Sequence, residues 1–128
     1  MKIRAPIAIL FLFAISFIKV YGQNKIIQNG YNIFYYDNGI QSSEGTMRDG
    51  KPDGLWKTYY TDGKLKSVGK RKNFKLDSLW KFYDSNGFVA LEIEYNHGKK
   101  NGIRRTYEDA VLVLDEMFKD DIKNGKTV

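Results

Sequence analysis

The chain has 128 residues, with 21 Lys and Arg, 15 Asp and Glu, one His and no Cys. That length holds one modest domain, and the missing Cys excludes disulfide scaffolds, thiolate metal sites and cysteine nucleophiles. A single His, His97, excludes a multi-histidine metal centre, while 42% hydrophobic and 15% aromatic residues exclude a disordered polyampholyte.

Residues 1–22 have the layout of a cleaved secretory signal peptide. Lys2 and Arg4 precede an apolar run from Ala5 to Ile18, and Val20 and Gly22 stand at the −3 and −1 positions of a cleavage site before Gln23. The run is shorter than the roughly 20 apolar residues that span a bilayer. No Cys follows the cleavage point, which excludes a bacterial lipoprotein. Export is expected, to the periplasm, the cell envelope or the medium. The leader carries Lys2, Arg4 and Lys19 and no acid, so half of the formal charge of +6 belongs to it. The mixed-sign remainder makes no case for nucleic acid.

Residues 23–30 read as a linker, and residues 31–126 as an internal repeat. An ungapped offset of 24 aligns Gly30, Gly54, Ser78 and Gly102, then Asn32, Trp56, Trp80 and Arg104, then Tyr35, Tyr59, Tyr83 and Tyr107. Gly39, Gly63 and Gly87 form a further column, completed by Val111. The copies run 31–54, 55–78, 79–102 and 103–126. A short fixed period means that one supersecondary unit is stacked.

The unit reads as a β-hairpin. Eight of the 12 glycines directly follow Asn or Asp, and such pairs favour tight hairpin turns that need positive φ. Between them, residues alternate with period two. Trp56, Thr58 and Tyr60 fall on one face, as do Val89, Leu91, Ile93 and Tyr95, with Glu92 and Glu94 opposite. This is a half-buried strand pattern. The expected fold is all-β: an elongated antiparallel sheet of stacked hairpins, four repeats of 24 residues, about eight strands. The tyrosine column and the two Trp are expected to form rows that cover one another. The last copy is degraded, with Arg104 in the Trp column and Val111 in the Gly column, as terminal copies tend to be. Residues 108–119 read as strand from the register and the two valines, with a helix as the alternative.

The words Gly54-Leu55-Trp56-Lys57-Thr58-Tyr59-Tyr60-Thr61-Asp62-Gly63 and Ser78-Leu79-Trp80-Lys81-Phe82-Tyr83-Asp84-Ser85-Asn86-Gly87 resemble the MORN-variant repeat of bacterial proteins often labelled YwqK-type antitoxins. The linking words Asp49-Gly50-Lys51-Pro52-Asp53-Gly54 and His97-Gly98-Lys99-Lys100-Asn101-Gly102 are similar too. The resemblance runs over about residues 30–107. It implies stacked hairpins, no catalytic activity, and a binding, scaffold or toxin-neutralising role.

No catalytic motif emerges from the residues. His97 lies in a Lys- and Gly-rich turn, without a nucleophile word beside it. Scattered Asp residues such as Asp49 and Asp53 fit turns and lack calcium-loop spacing. Glu92 and Glu94 share a strand face, not a cleft. A non-enzyme without metal or cofactor is expected. One cluster stands out: Lys64, Lys66, Lys70, Arg71, Lys72 and Lys75 lie next to Trp56, Phe74 and Trp80. Its functional reading is contact with an anionic surface; its plain reading is a solvated strand face whose lysines discourage edge pairing. The expected partner is another protein, with anionic lipid headgroups or a glycan as alternatives.

Overall fold

The structure, a computed structural model, describes residues 25–124. The proposed signal peptide, residues 1–22, lies outside the described residues. The all-β expectation holds. A single open antiparallel sheet runs in sequence order from β1 (Gly30–Tyr35), β2 (Gln41–Arg48), β3 (Lys51–Tyr59), β4 (Leu65–Lys72) and β5 (Lys75–Tyr83) to β6 (Val89–Asn96), β7 (Lys99–Glu108), β8 (Val111–Lys119) and the two-residue β9 (Ile122–Lys123). No helix occurs among the described residues. Residues 111–119 are strand, which settles the alternative left by the sequence.

Two kinds of turn alternate at the two ends of the strands. At one end, Gly39, Gly63 and Gly87 donate to the carbonyls of Tyr36, Tyr60 and Asp84 at 2.9, 2.9 and 3.0 Å. Each glycine has φ near 90°, and a register shift accompanies each turn. These are three-residue loops closed by a bulge at a left-handed glycine. At the other end, two-residue turns have both residues at positive φ: Asp49–Gly50, Asn73–Phe74, His97–Gly98 and Asp120–Asp121. Such turns match the twist of the strands they join.

The turns also staple one hairpin to the next. Amides of Gly50, Phe74, Gly98 and Asp121 donate back to carbonyls of Gln28, Pro52, Leu76 and Lys100. At the far end the Tyr36 and Tyr60 hydroxyls donate forward to Tyr59 and Tyr83 carbonyls. Every repeat is therefore tied to its neighbours beyond the strand ladders.

The core is one row of residues across one face. Register places Asn32 beside Gly45, Gly45 beside Trp56, and Trp56 beside Gly69. Trp80 pairs with Ile93, Ile93 with Arg104, and Arg104 with Glu116. Among the described residues, Trp56, Trp80 and Ile93 are the buried hydrophobic ones. Each indole crosses the glycine on the preceding strand and donates Nε1 to a backbone carbonyl, Trp56 to Thr46 at 3.0 Å and Trp80 to Lys70 at 2.9 Å. Phe34 stacks on Trp56 and Phe82 on Trp80, with centroids 6.4 and 6.1 Å apart. Burying each indole stabilises the sheet by about 1.5–3 kcal/mol.

Polar groups close both ends of this row. At the start, Asn32 Oδ1 accepts the Ile27 amide at 2.7 Å while its Nδ2 donates to the Ile27 carbonyl at 2.9 Å. At the end, Arg104 Nη1 lies 2.8 Å from Glu116 Oε1, and Lys123 Nζ 3.2 Å from Glu116 Oε2. Arg104 stands where the two preceding repeats have Trp, between Ile93 and Glu116, and the ion pairs compensate the buried Glu116 carboxylate.

The last repeat departs from the ungapped alignment. Glu108 pairs with Val111 across the two-residue turn Asp109–Ala110. This turn is one residue shorter than its counterparts, so Val111 opens β8 and does not replace Gly87. Glu116 consequently takes the position that Gly45, Gly69 and Ile93 hold in the earlier repeats.

Candidate functional site

The six cations of the sequence cluster separate into two groups. Lys64 Nζ donates to the Ser85 carbonyl at 3.1 Å and lies 3.9 Å from Asp62 Oδ2, so it links two repeats. Lys66 Nζ sits 5.6 Å from the centre of the Tyr60 ring. Arg71 Nη1 donates to the Phe74 carbonyl at 2.8 Å, and its guanidinium lies 5.5 Å from the centre of the Trp80 ring. Burial lowers the Arg71 pKa from its ordinary value. These three are engaged within the sheet.

Lys70, Lys72 and Lys75 form the second group. All three are exposed, and none makes an ion pair among the described residues. Lys72 pairs with Lys75 across the hairpin, and Lys70 pairs with Asp77. Arg71 and Leu76 point to the face that holds the two Trp. Strand alternation therefore sends the three lysines to the opposite face.

Trp56 and Trp80, named with the cluster, are 6% and 2% exposed. Their place is the core row, where they form the floor of a shallow groove. The groove has a volume of roughly 390 Å³, and its lining includes Phe34, Met47, Pro52, Arg71, Leu76 and Phe82. It is open because the sheet is a single layer with nothing packed on this face among the described residues.

The tyrosine column does recur at one register position, beside each turn, opposite Gln41, Leu65, Val89 and Leu112. Two of its members, Tyr59 and Tyr107, donate to carboxylates, as does Tyr31 outside the column. Glu44 accepts the Tyr31 hydroxyl on Oε1 and the Tyr59 hydroxyl, at 3.0 Å, on Oε2. Glu92 accepts the Tyr107 hydroxyl. The hydrogen bond to Glu44, then burial, pushes the Tyr31 pKa up to about 12. For Tyr59 burial leads and the bond to Glu44 adds to it. Each phenol is thus held in its neutral, donating form.

No group of three or more His, Asp or Glu able to hold a metal ion occurs among the described residues. His97 occupies the first position of a turn, at φ 50°. Two features escape the plain alignment. Phe74 takes a turn position held by Gly50 and Gly98 in the sibling hairpins, and Ser78 has φ 62° in a column otherwise made of glycines. The Ser in the Gly column was the available signal for the second.

A MORN repeat variant family model matches residues 52–73, from the second residue of β3 to the first residue of the Asn73–Phe74 turn. No curated protein matches the chain.

Proposed function

We propose that the chain is an exported, non-enzymatic protein-interaction module, a scaffold of the bacterial cell envelope. One observation carries this reading. A single-layer sheet leaves large apolar side chains in solvent, among them Leu55 at 53%, Phe74 at 54% and Phe88 at 48% exposure, besides the open groove over Trp56 and Trp80. A contiguous open apolar surface such as this groove, unlike singly exposed side chains, marks interaction sites. The MORN-variant match at residues 52–73 supports a binding role, and the leader-like residues 1–22 support export. Neutralisation of a toxin is a narrower form of the same reading, with the toxin as the partner.

The test is affinity capture of envelope extract by the tagged protein, beside a Leu76→Asp variant that alters the groove wall. Circular dichroism establishes that the variant keeps its sheet. The reading expects a protein bound by the wild type and lost from the variant. Equal capture by both overturns the groove as the binding face, and no captured protein, or retention only on peptidoglycan or anionic vesicles, overturns the interaction-module reading.

A further inference from the structure

The tip of the β4–β5 hairpin breaks two local rules that its two neighbours, the β2–β3 and β6–β7 hairpins, obey. In the β2–β3 and β6–β7 turns, the second residue is Gly50 at φ 73° and Gly98 at φ 82°; here it is Phe74 at φ 70°. A bulky side chain in the left-handed region is strained, and such strain persists where the surroundings hold it. The Phe74 amide donates to the Pro52 carbonyl at 3.4 Å, and its own carbonyl accepts Arg71 Nη1. The backbone is fixed on both sides while the ring stands 54% exposed.

The second rule concerns charge. Lys72 lies directly opposite Lys75, and like charges facing across a ladder destabilise it. The sibling hairpin also sets Arg48 opposite Lys51, but Asp53 Oδ2 lies 3.5 Å from Arg48 Nε. Asp77 is the repeat counterpart of Asp53 and makes no ion pair with Lys72. Its Oδ2 instead receives the Ser78 hydroxyl at 3.1 Å, and Ser78 stands where the sibling has Gly54. Lys72 and Lys75 thus face each other without an ion pair beside an exposed ring, while Lys70 faces Asp77 across the ladder.

We propose that this tip docks an acidic segment of a partner protein. One apolar partner side chain would lie on Phe74, and carboxylates would sit among Lys70, Lys72 and Lys75. The proposal rests on the interaction-module reading above and supplies the chemistry of the partner. A single aromatic anchor ringed by charge is a common form of protein hot spot. A membrane fits less well. The neighbouring tips at the same end present Gly50 and Gly98 where this one presents Phe74, and the row of tips also carries Asp49 at β2–β3 and Asp120 and Asp121 at β8–β9. A plane touching the whole row would press those carboxylates into anionic headgroups. The contact is one hairpin wide.

The experiment measures fluorescence anisotropy of a labelled peptide of alternating Asp and Glu with one central Leu, titrated with the full chain. Vesicles of phosphatidylglycerol and phosphatidylcholine are assayed in parallel. Phe74→Gly should keep or raise the melting temperature, because it relieves strain, yet weaken peptide binding about fivefold or more. Lys72→Glu with Lys75→Glu should weaken it about tenfold or more. Lys57→Glu with Lys81→Glu makes the same change of charge away from the tip, toward the far ends of β3 and β5, and should have a much smaller effect, since about 0.15 M salt screens beyond ~8 Å. Wild-type binding by Phe74→Gly, equal weakening by the control pair, absence of peptide binding, or binding of vesicles alone would each overturn the proposal. None of these outcomes touches groove-dependent capture, so the two readings fail separately.

Discussion

Trp80 lays its indole across the α-carbon of Gly69. A Cβ at Gly69 would overlap ring atoms Cδ2, Cε2 and Cγ, and Gly45 stands in the same relation to Trp56. The glycine is the seat that lets a large ring lie against a one-layer sheet. Where Ile93 fills that seat, the residue beside it is Arg104, which reaches for Glu116 instead. The pairing of small with flat thus occurs twice along the core row, and the pairing of branched with extended follows once.

Gly69→Ala should therefore destabilise the protein strongly for the addition of one methyl group. Overpacking of this kind costs about 1–3 kcal/mol. If the indole swings away to escape, it forfeits the Nε1 bond to the Lys70 carbonyl, worth about 1 kcal/mol. Urea denaturation followed by Trp emission reads both the midpoint and the exposure of the ring. Hydrogen exchange should quicken most in the strands flanking β5. A midpoint equal to that of the wild type would show that the ring does not rest on Gly69.

Ser78→Gly should act in the opposite direction. Ser78 is held at φ 62°, while Gly54 and Gly102 occupy the same column at 80° and 112°. A non-glycine residue in the left-handed region costs about 1–2 kcal/mol, and the freedom of glycine in the unfolded chain returns about 0.5–1 kcal/mol of that. The net gain should be about 0.5–1 kcal/mol, or a rise of a few degrees in Tm for a domain this small. Gly54→Ala should lower Tm by a comparable amount. Calorimetry on both variants checks the signs together.

The hairpins are legible in the sequence because Asn-Gly and Asp-Gly are chemical statements about φ, made locally. Most of the register follows, since a period of 24 leaves no choice until Tyr107. It fails there because the Asp109–Ala110 turn is one residue shorter, and no glycine marks the loss. The two Trp read as binding residues because they lie near cations in the chain. Their real environment depends on Gly45 and Gly69, which are 24 residues apart and, unlike most of the glycines, follow neither Asn nor Asp. Gly98 follows His97 and still turns, so that difference alone does not mark packing; the 24-residue offset between Gly45 and Gly69, in phase with the two Trp, was the available signal. The separation of Arg71 from Lys70 and Lys72 follows from strand alternation. The diversion of Asp77 by Ser78 needed coordinates, because it is set by which neighbour a short carboxylate can reach.

Acid should loosen the last repeat first. Burial pushes the Glu116 carboxyl upward, but hydrogen bonds from Lys123 and Arg104 outweigh it, and the net pKa falls below its ordinary 4.5. A depressed carboxylate pKa means that the unfolded chain binds more protons in the window between the two values. The stability from Glu116 is therefore present above pH 4.5 and is lost as pH falls through the folded value. Hydrogen exchange across that range should show β7 and β8 opening before β3 to β5. Glu116→Gln should flatten this pH dependence while lowering stability at neutral pH. An unchanged acid profile in that variant would mean that other carboxylates govern the transition.

Alkali should act at the opposite end of the sheet. Glu44 joins Tyr31 on β1 to Tyr59 on β3, with β2 between them. The Tyr31 pKa stands at about 12 against an ordinary 10.0. A raised folded pKa favours the protonated phenol, so its contribution is complete below pH 10 and is lost as pH rises toward 12. Tyr31 is 51% exposed, and solvent screening keeps the effect on global stability small. Phenolate absorbance is the sharper readout: Tyr31 should titrate late, in company with the raised Tyr59, Tyr95 and Tyr107, and Glu44→Gln should bring Tyr31 down toward its ordinary 10.0 and shrink the late fraction. If the late fraction is undiminished in Glu44→Gln, the carboxylate is not the cause of the Tyr31 shift, and the β1–β3 bridge has no role in fixing the first hairpin.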